Sequence, residues 1–162
     1  PFYHFTGIPD LSAATINSVT LEIYIAEVLD DAGGGNTALT KVMADDAASP
    51  SAPTSYADYE ARTPTTAQID WDLTNGVAST PDWFPLDITS IFNELLASYG
   101  ASLSSMVILH KDDGSPDAVE FDVVTYDGTP ANAAKLTIDY TPAGAGGAVP
   151  VLAHHYRQMR NG

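Results

Sequence analysis

Cysteine is absent from the 162 residues, which excludes disulfide frameworks, thiolate metal sites and cysteine nucleophiles by counting. Positive charge is scarce: six Lys and Arg stand against 21 Asp and Glu, a formal net charge of −15. A surface that negative repels phosphate backbones and anionic head groups, so nucleic acid is not expected as a partner. No window approaches the roughly 18 to 20 consecutive apolar residues that a membrane-spanning helix needs, and no basic-then-apolar signal segment precedes the first strand-like run. Asn-x-Ser/Thr acceptors are missing as well.

Catalytic motifs that can be searched for by spacing are also lacking. No Gly-x-Ser-x-Gly surrounds any serine, there is no His-Glu-x-x-His, and Gly144-Ala145-Gly146 lacks the third glycine of a dinucleotide loop. Of the four histidines, His4, His110, His154 and His155, the adjacent pair cannot both face one metal from a regular helix or strand. The expectation is a protein that is not an enzyme.

What is present is a folding pattern. Hydrophobic residues make up 44% and charged residues 17%, the balance of a chain that buries a core. Strict alternation marks half-buried strands at Ser18 to Ile25 and at Ala134 to Thr141, where Leu136, Ile138 and Tyr140 alternate with Lys135, Thr137 and Asp139. Ser105 to His110 reads as a strand buried on both faces, and Val119 to Tyr126 as a further alternating one. Shorter strands are expected at Phe2 to Phe5, Thr37 to Met43 and Trp83 to Leu86.

Turn chemistry separates these runs: Asp30 to Asn36 with three glycines, Asp112-Asp113-Gly114-Ser115-Pro116, and Asp127-Gly128-Thr129-Pro130. One segment changes period. Asp87 can cap a helix from about Ile88 to Ser98, with Ile88, Ile91, Phe92, Leu95 and Leu96 at helical spacing and Gly100 to end it. Residues 44 to 82, rich in Ala, Ser, Thr, Pro and Asp, are expected as long loops pinned by large side chains. The fold class expected is all-β, an antiparallel, jelly-roll-like β-sandwich with one short helix and a C-terminal extension.

Charge divides the chain at its end. Residues 1–142 hold four basic and 21 acidic residues, a net of −17, whereas 143–162 hold only Arg157 and Arg160. The expected organisation is a sandwich over 1–142, followed by a Gly-rich hinge and a basic, apolar assembly arm over 143–162. Leu152, Tyr156 and Met159 fall at i, i+4 and i+7, so the arm can lay an apolar stripe on a neighbouring subunit. The residues expected to carry assembly are Val151, Leu152, Tyr156, Arg157, Met159 and Arg160.

Two further chemistries are written in the loops. Asp112, Asp113 and Asp117 share one, Asp30, Asp31 and Asn36 another, and Asp45 with Asp46 opens a third; clustered hard oxygens suit a structural Ca²⁺ at Asp112, Asp113 and Asp117, although none has EF-hand spacing. Tyr56, Trp71 and Trp83 lie in or beside loops and can offer flat apolar faces on which sugar rings stack.

In order, Phe5-Thr6-Gly7-Ile8-Pro9, Ala14 to Tyr24, Trp83 with the Asp87-Ile88-Thr89 helix start, Tyr126 to Pro130 and Ala134 to Tyr140 resemble the DNRLRE-type β-sandwich modules of secreted and surface proteins. Those modules are grouped with carbohydrate-binding modules, and the resemblance covers roughly residues 2 to 141. Modules that look similar are common among structural proteins of tailed phages. The resemblance implies a non-catalytic structural protein displayed extracellularly or on a virion surface as a decoration, head or tail component, with homo-oligomeric or lattice partners. The alternative it implies is a carbohydrate-binding module of a polysaccharide-active protein.

Overall fold

Val19, Leu21, Ile23 and Ile25 are buried while Thr20, Glu22 and Tyr24 stay half-exposed, the pleat that the alternation predicts. The structure is a computed structural model that describes residues 1–30, 37–74, 81–115, 119–124, 128–144 and 154–157. Its strands are β1 (Phe2–Thr6), β2 (Thr15–Asp30), β3 (Thr37–Ala38), β4 (Thr40–Ala44), β5 (Ile69–Asp70), β6 (Leu73–Thr74), β7 (Asp82–Asp87), β8 (Ser105–Asp112), β9 (Val119–Val123), β10 (Lys135–Thr141) and β11 (His154–Arg157). Helices α1 (Tyr56–Glu60) and α2 (Thr89–Tyr99) complete the regular elements used below.

The fold is an antiparallel β-sandwich. One sheet has the order β1-β8-β4-β5, and the other the order β11-β10-β2-β7 with β9 also on β2; β3 and β6 form a small separate ladder. Every ladder described is antiparallel. A single apolar cluster draws on both sheets and the helix: Tyr3, Phe5, Val42, Met106 and Ile108 from one sheet, Val19, Leu21, Ile23, Ile25, Leu136 and Ile138 from the other, and Ile91, Phe92 and Leu95 from α2.

β2 is twice the length its alternation suggested because three partners share it. β10 pairs along Thr15 to Glu22, β7 along Thr20 to Ile25, and β9 along Ile25 to Asp30. Ile25 faces Asp82 on one side and Val123 on the other, so β9 and β10 lie end to end along the same edge of β2. The register slips where Asn17 and Ala26 have no opposite number, two bulges that bend the long strand.

The run expected at Thr37 to Met43 is broken at Leu39. Ser115 explains the break: its Oγ accepts from the Leu39 N–H at 2.9 Å and donates to the Leu39 carbonyl at 3.0 Å, and the Asp113 N–H gives that carbonyl a second bond. A backbone unit satisfied by a loop has nothing left for a ladder.

α2 begins as its sequence predicted, with the Asp87 carboxylate accepting from the Thr89 N–H at 2.9 Å and from its hydroxyl. It ends at Gly100, whose φ of 52° is left-handed backbone that a side chain would strain. The helix carries the chain from β7 in one sheet to β8 in the other. A second, shorter helix, α1, was not expected in the 44–82 stretch. Ser55 caps it, its Oγ accepting from the Asp58 N–H at 3.1 Å, while Asp58 reaches back to the Thr54 N–H at 2.9 Å.

Candidate functional site: the sheet faces and the β10–β11 edge

β8 is apolar on both faces because both are covered. Met106 and Ile108 enter the main core, whereas Val107 and Leu109 join Met43, Tyr59 and Phe2 beneath the 45–64 excursion that carries α1. Polar anchors hold that excursion down. Arg62 donates to Asp45 at 2.7 Å and, in a two-pronged fork, to Asp58 at 3.0 and 3.1 Å. The Arg62 and Asp45 side chains are only 15% and 7% exposed, so the pair works partly out of water. The Tyr59 hydroxyl donates to the His110 carbonyl at 2.8 Å, and Lys111 lies 4.9 Å over the same ring. From α2, Glu94 accepts from the Thr66 and Ala67 N–H groups at 2.7 and 2.6 Å, and the Tyr99 hydroxyl donates to the Asp46 carbonyl at 2.7 Å.

Inside the sandwich, His110 forms a neutral relay. Thr40 Oγ1 donates to the Trp71 carbonyl, so it accepts from His110 Nε2–H at 2.8 Å, and His110 Nδ1 then accepts from the Tyr3 hydroxyl at 3.5 Å. Burial pushes the imidazole pKa down to about 3, so the ring is uncharged at neutral pH. The Trp71 ring lies 5.3 Å from it and packs against the core. Both ring nitrogens of His110 are bonded to neighbouring groups of the fold.

The outer face of the second sheet carries a different group. Tyr24 on β2 and Trp83 on β7 are register partners whose rings meet edge to face at 5.3 Å. The Lys135 ammonium sits 3.4 Å from the Trp83 ring centroid, a cation–π contact that occupies one face of the indole. Lys135 is opposite Glu22 on its inner side and opposite Arg157 on its outer side.

That outer side is the chain's own C-terminal segment. β11 pairs with β10 over Lys135↔Arg157, Leu136↔Tyr156, Thr137↔His155 and Ile138↔His154, and it also runs beside β1 of the other sheet. It therefore covers the β10 edge, whose N–H and C=O groups would otherwise be an open template for another strand.

The expected assembly residues fall partly here. Tyr156 and Arg157 lie in β11, while Val151, Leu152, Met159 and Arg160 lie outside the described residues. The helical spacing read for the arm does not hold at 154–157, which are extended. The three expected sugar platforms are not brought together: Tyr56 is on α1 over the first sheet, 78% exposed and stacked at 6.3 Å on Tyr59, Trp71 is packed against the core, and Trp83 is on the outer face of the second sheet. Tyr24 was not singled out in sequence, although its outward place in the β2 alternation puts it beside Trp83.

In the acidic loop, Asp112 accepts from the Gly114 and Ser115 N–H groups at 3.1 and 3.0 Å. The Ser115 side chain foremost, and then those backbone bonds, hold its carboxyl below the usual carboxylate range. Asp113 pairs with Lys41 at 2.9 Å, and Asp117 lies outside the described residues. Among the described residues, no three His, Asp or Glu side chains converge as a metal site. Compared with known proteins, the chain matches no family model, no curated protein and no solved structure.

Proposed function

We propose that the chain is a non-catalytic structural protein, a surface-displayed β-sandwich of a virion or cell surface that is held to neighbouring subunits by its C-terminal arm. The observation that carries this reading is the β11 ladder on β10: the arm's backbone at 154–157 is in strand form and suited to sheet-edge addition, a mode of recognition in which the main chain supplies affinity. Charge supports it. The body's four cations are engaged at home, Lys41 with Asp113, Arg62 with Asp45 and Asp58, Lys111 with Glu60, and Lys135 over Trp83, while the arm brings Arg157 and Arg160 to an acidic body. Replacing both arm arginines (Arg157→Glu with Arg160→Glu) should abolish the association of the full chain in light scattering and leave its melting temperature nearly unchanged. Undiminished association of that variant contradicts the charge contribution.

A second reading, a carbohydrate-binding module, draws on the Tyr24–Trp83 pair on the outer face. Under it, Trp83→Ala weakens retention on immobilised polysaccharide, and Lys135→Ala, which frees the indole face, strengthens it. Equal retention of both variants removes the reading.

A further inference from the structure

We propose that two copies of the chain exchange their C-terminal strands, β11 of one copy pairing with Lys135 to Ile138 of β10 in the second, in the register each holds on its own body. This rests on the assembly reading above and names its partner, a second copy, and its surface, the β10 edge.

Three observations lead there. Among the described residues the ladder spans four residue pairs, and β11 is the end strand of its sheet, so it can leave without parting two strands of the body. Residues 142–153, twelve in number, join β10 to β11, whereas antiparallel neighbours need a connection of about two to five. That length does not oblige the arm to return to its own body. The contacts made in an exchanged pair are also those made in the closed chain, so exchange trades equal ladders and is governed by concentration. A connection of this length holds its own strand at an effective concentration on the order of millimolar, so exchange takes over where copies are crowded, as on a lattice. Charge serves the closed and the exchanged forms alike, because each arm is basic and each body carries four basic against 21 acidic residues.

Thr137 and His155 face each other across the ladder, and the chain has no native cysteine to confuse a cross-link. Full-length Thr137→Cys is mixed with full-length His155→Cys at high protein concentration and oxidised. Exchange predicts a mixed disulfide-linked dimer, increasing with concentration and at least about tenfold above either variant alone, a difference of ~1.4 kcal/mol. In the double variant, Thr137→Cys with His155→Cys, a bridge that closes only within single chains at every concentration overturns the exchange, as does the absence of any bridge.

Light scattering on the wild-type chain separates the two claims. Arm-dependent association with bridges confined to single chains ends the exchange and leaves the assembly reading standing. A monomeric wild-type chain, together with bridges confined to single chains in the double variant, ends both.

Discussion

Leu136, buried in the core on β10, is the register partner of Tyr156 in the arm, so the outermost strand is laddered directly to a strand that builds the sandwich. N–H and C=O groups alternate in direction along a strand, so one of the neighbours His155 and Tyr156 directs its groups at β10. Proline at both positions removes that bond whichever it is. The double variant, His155→Pro with Tyr156→Pro, should raise hydrogen exchange by about tenfold or more at the β10 amides that face the arm, leaving β8 protected. Unchanged exchange along β10 would mean that β11 is not seated there.

The two tryptophans should behave differently on truncation. Trp71 packs against the core beside His110, so Trp71→Ala removes buried contact area and should cost about 2–3 kcal/mol in denaturant unfolding. Trp83 lies on an outer sheet face against Tyr24 and Lys135, and Trp83→Ala should cost about 1 kcal/mol or less. Equal costs would contradict the placement of the two rings.

Acid should weaken the fold before its carboxylates titrate. Burial lowers the pKa of His110 from its ordinary 6.5 to about 3, and burial also lowers that of His4, whose Nε2 has no hydrogen-bond partner and which sits near the Arg62 charge. The unfolded chain therefore takes up protons near pH 6.5 that the folded chain refuses. Stability is full above that pH and falls as the pH drops toward 3, by up to about 1.4 kcal/mol per pH unit for His110, with a contribution of the same sign from His4. Urea unfolding at pH 7, 6 and 5 checks this, and His110→Gln should flatten the slope. A wild-type stability constant from pH 7 to 5 would contradict the neutral relay.

Arg62 should matter more than an ordinary surface arginine. Arg62→Met leaves the buried Asp45 carboxylate without its 2.7 Å partner, at a cost of about 1–3 kcal/mol, and loosens the 45–64 excursion toward proteases. Asp45→Asn combined with Arg62→Met should recover part of the loss, because the stranded charge is then gone. A double variant no more stable than Arg62→Met would count against the ion pair as the anchor.

Much of the fold was legible because its determinants are local. Alternation located β2 and β10, a continuous apolar run located β8, and Asp87, the helical spacing and Gly100 located α2. The interruption at Leu39 was not legible because it comes from Ser115, 76 residues away. α1 did leave a signature, Ser55 three residues before Asp58, hidden in an Ala- and Ser-rich stretch with little apolar periodicity. The period that puts Met106 and Ile108 inward also places His110 inward, but its partner Tyr3 is 107 residues distant and has no local trace. Trp83 was visible as a candidate aromatic, yet the Lys135 ammonium that occupies its face is brought there only by the β10–β2–β7 order.

Whether the arm assembles copies is tested most directly by light scattering of the full chain against a chain ending at Thr141, over a range of concentrations. The buried cluster of the described residues, from Tyr3 to Ile138, is retained entire in the shortened chain, and circular dichroism checks that it is folded. The account predicts that the full chain gains mass with concentration while the shortened chain stays at one copy. Identical single-copy masses for two folded proteins, up to millimolar concentration, would contradict it.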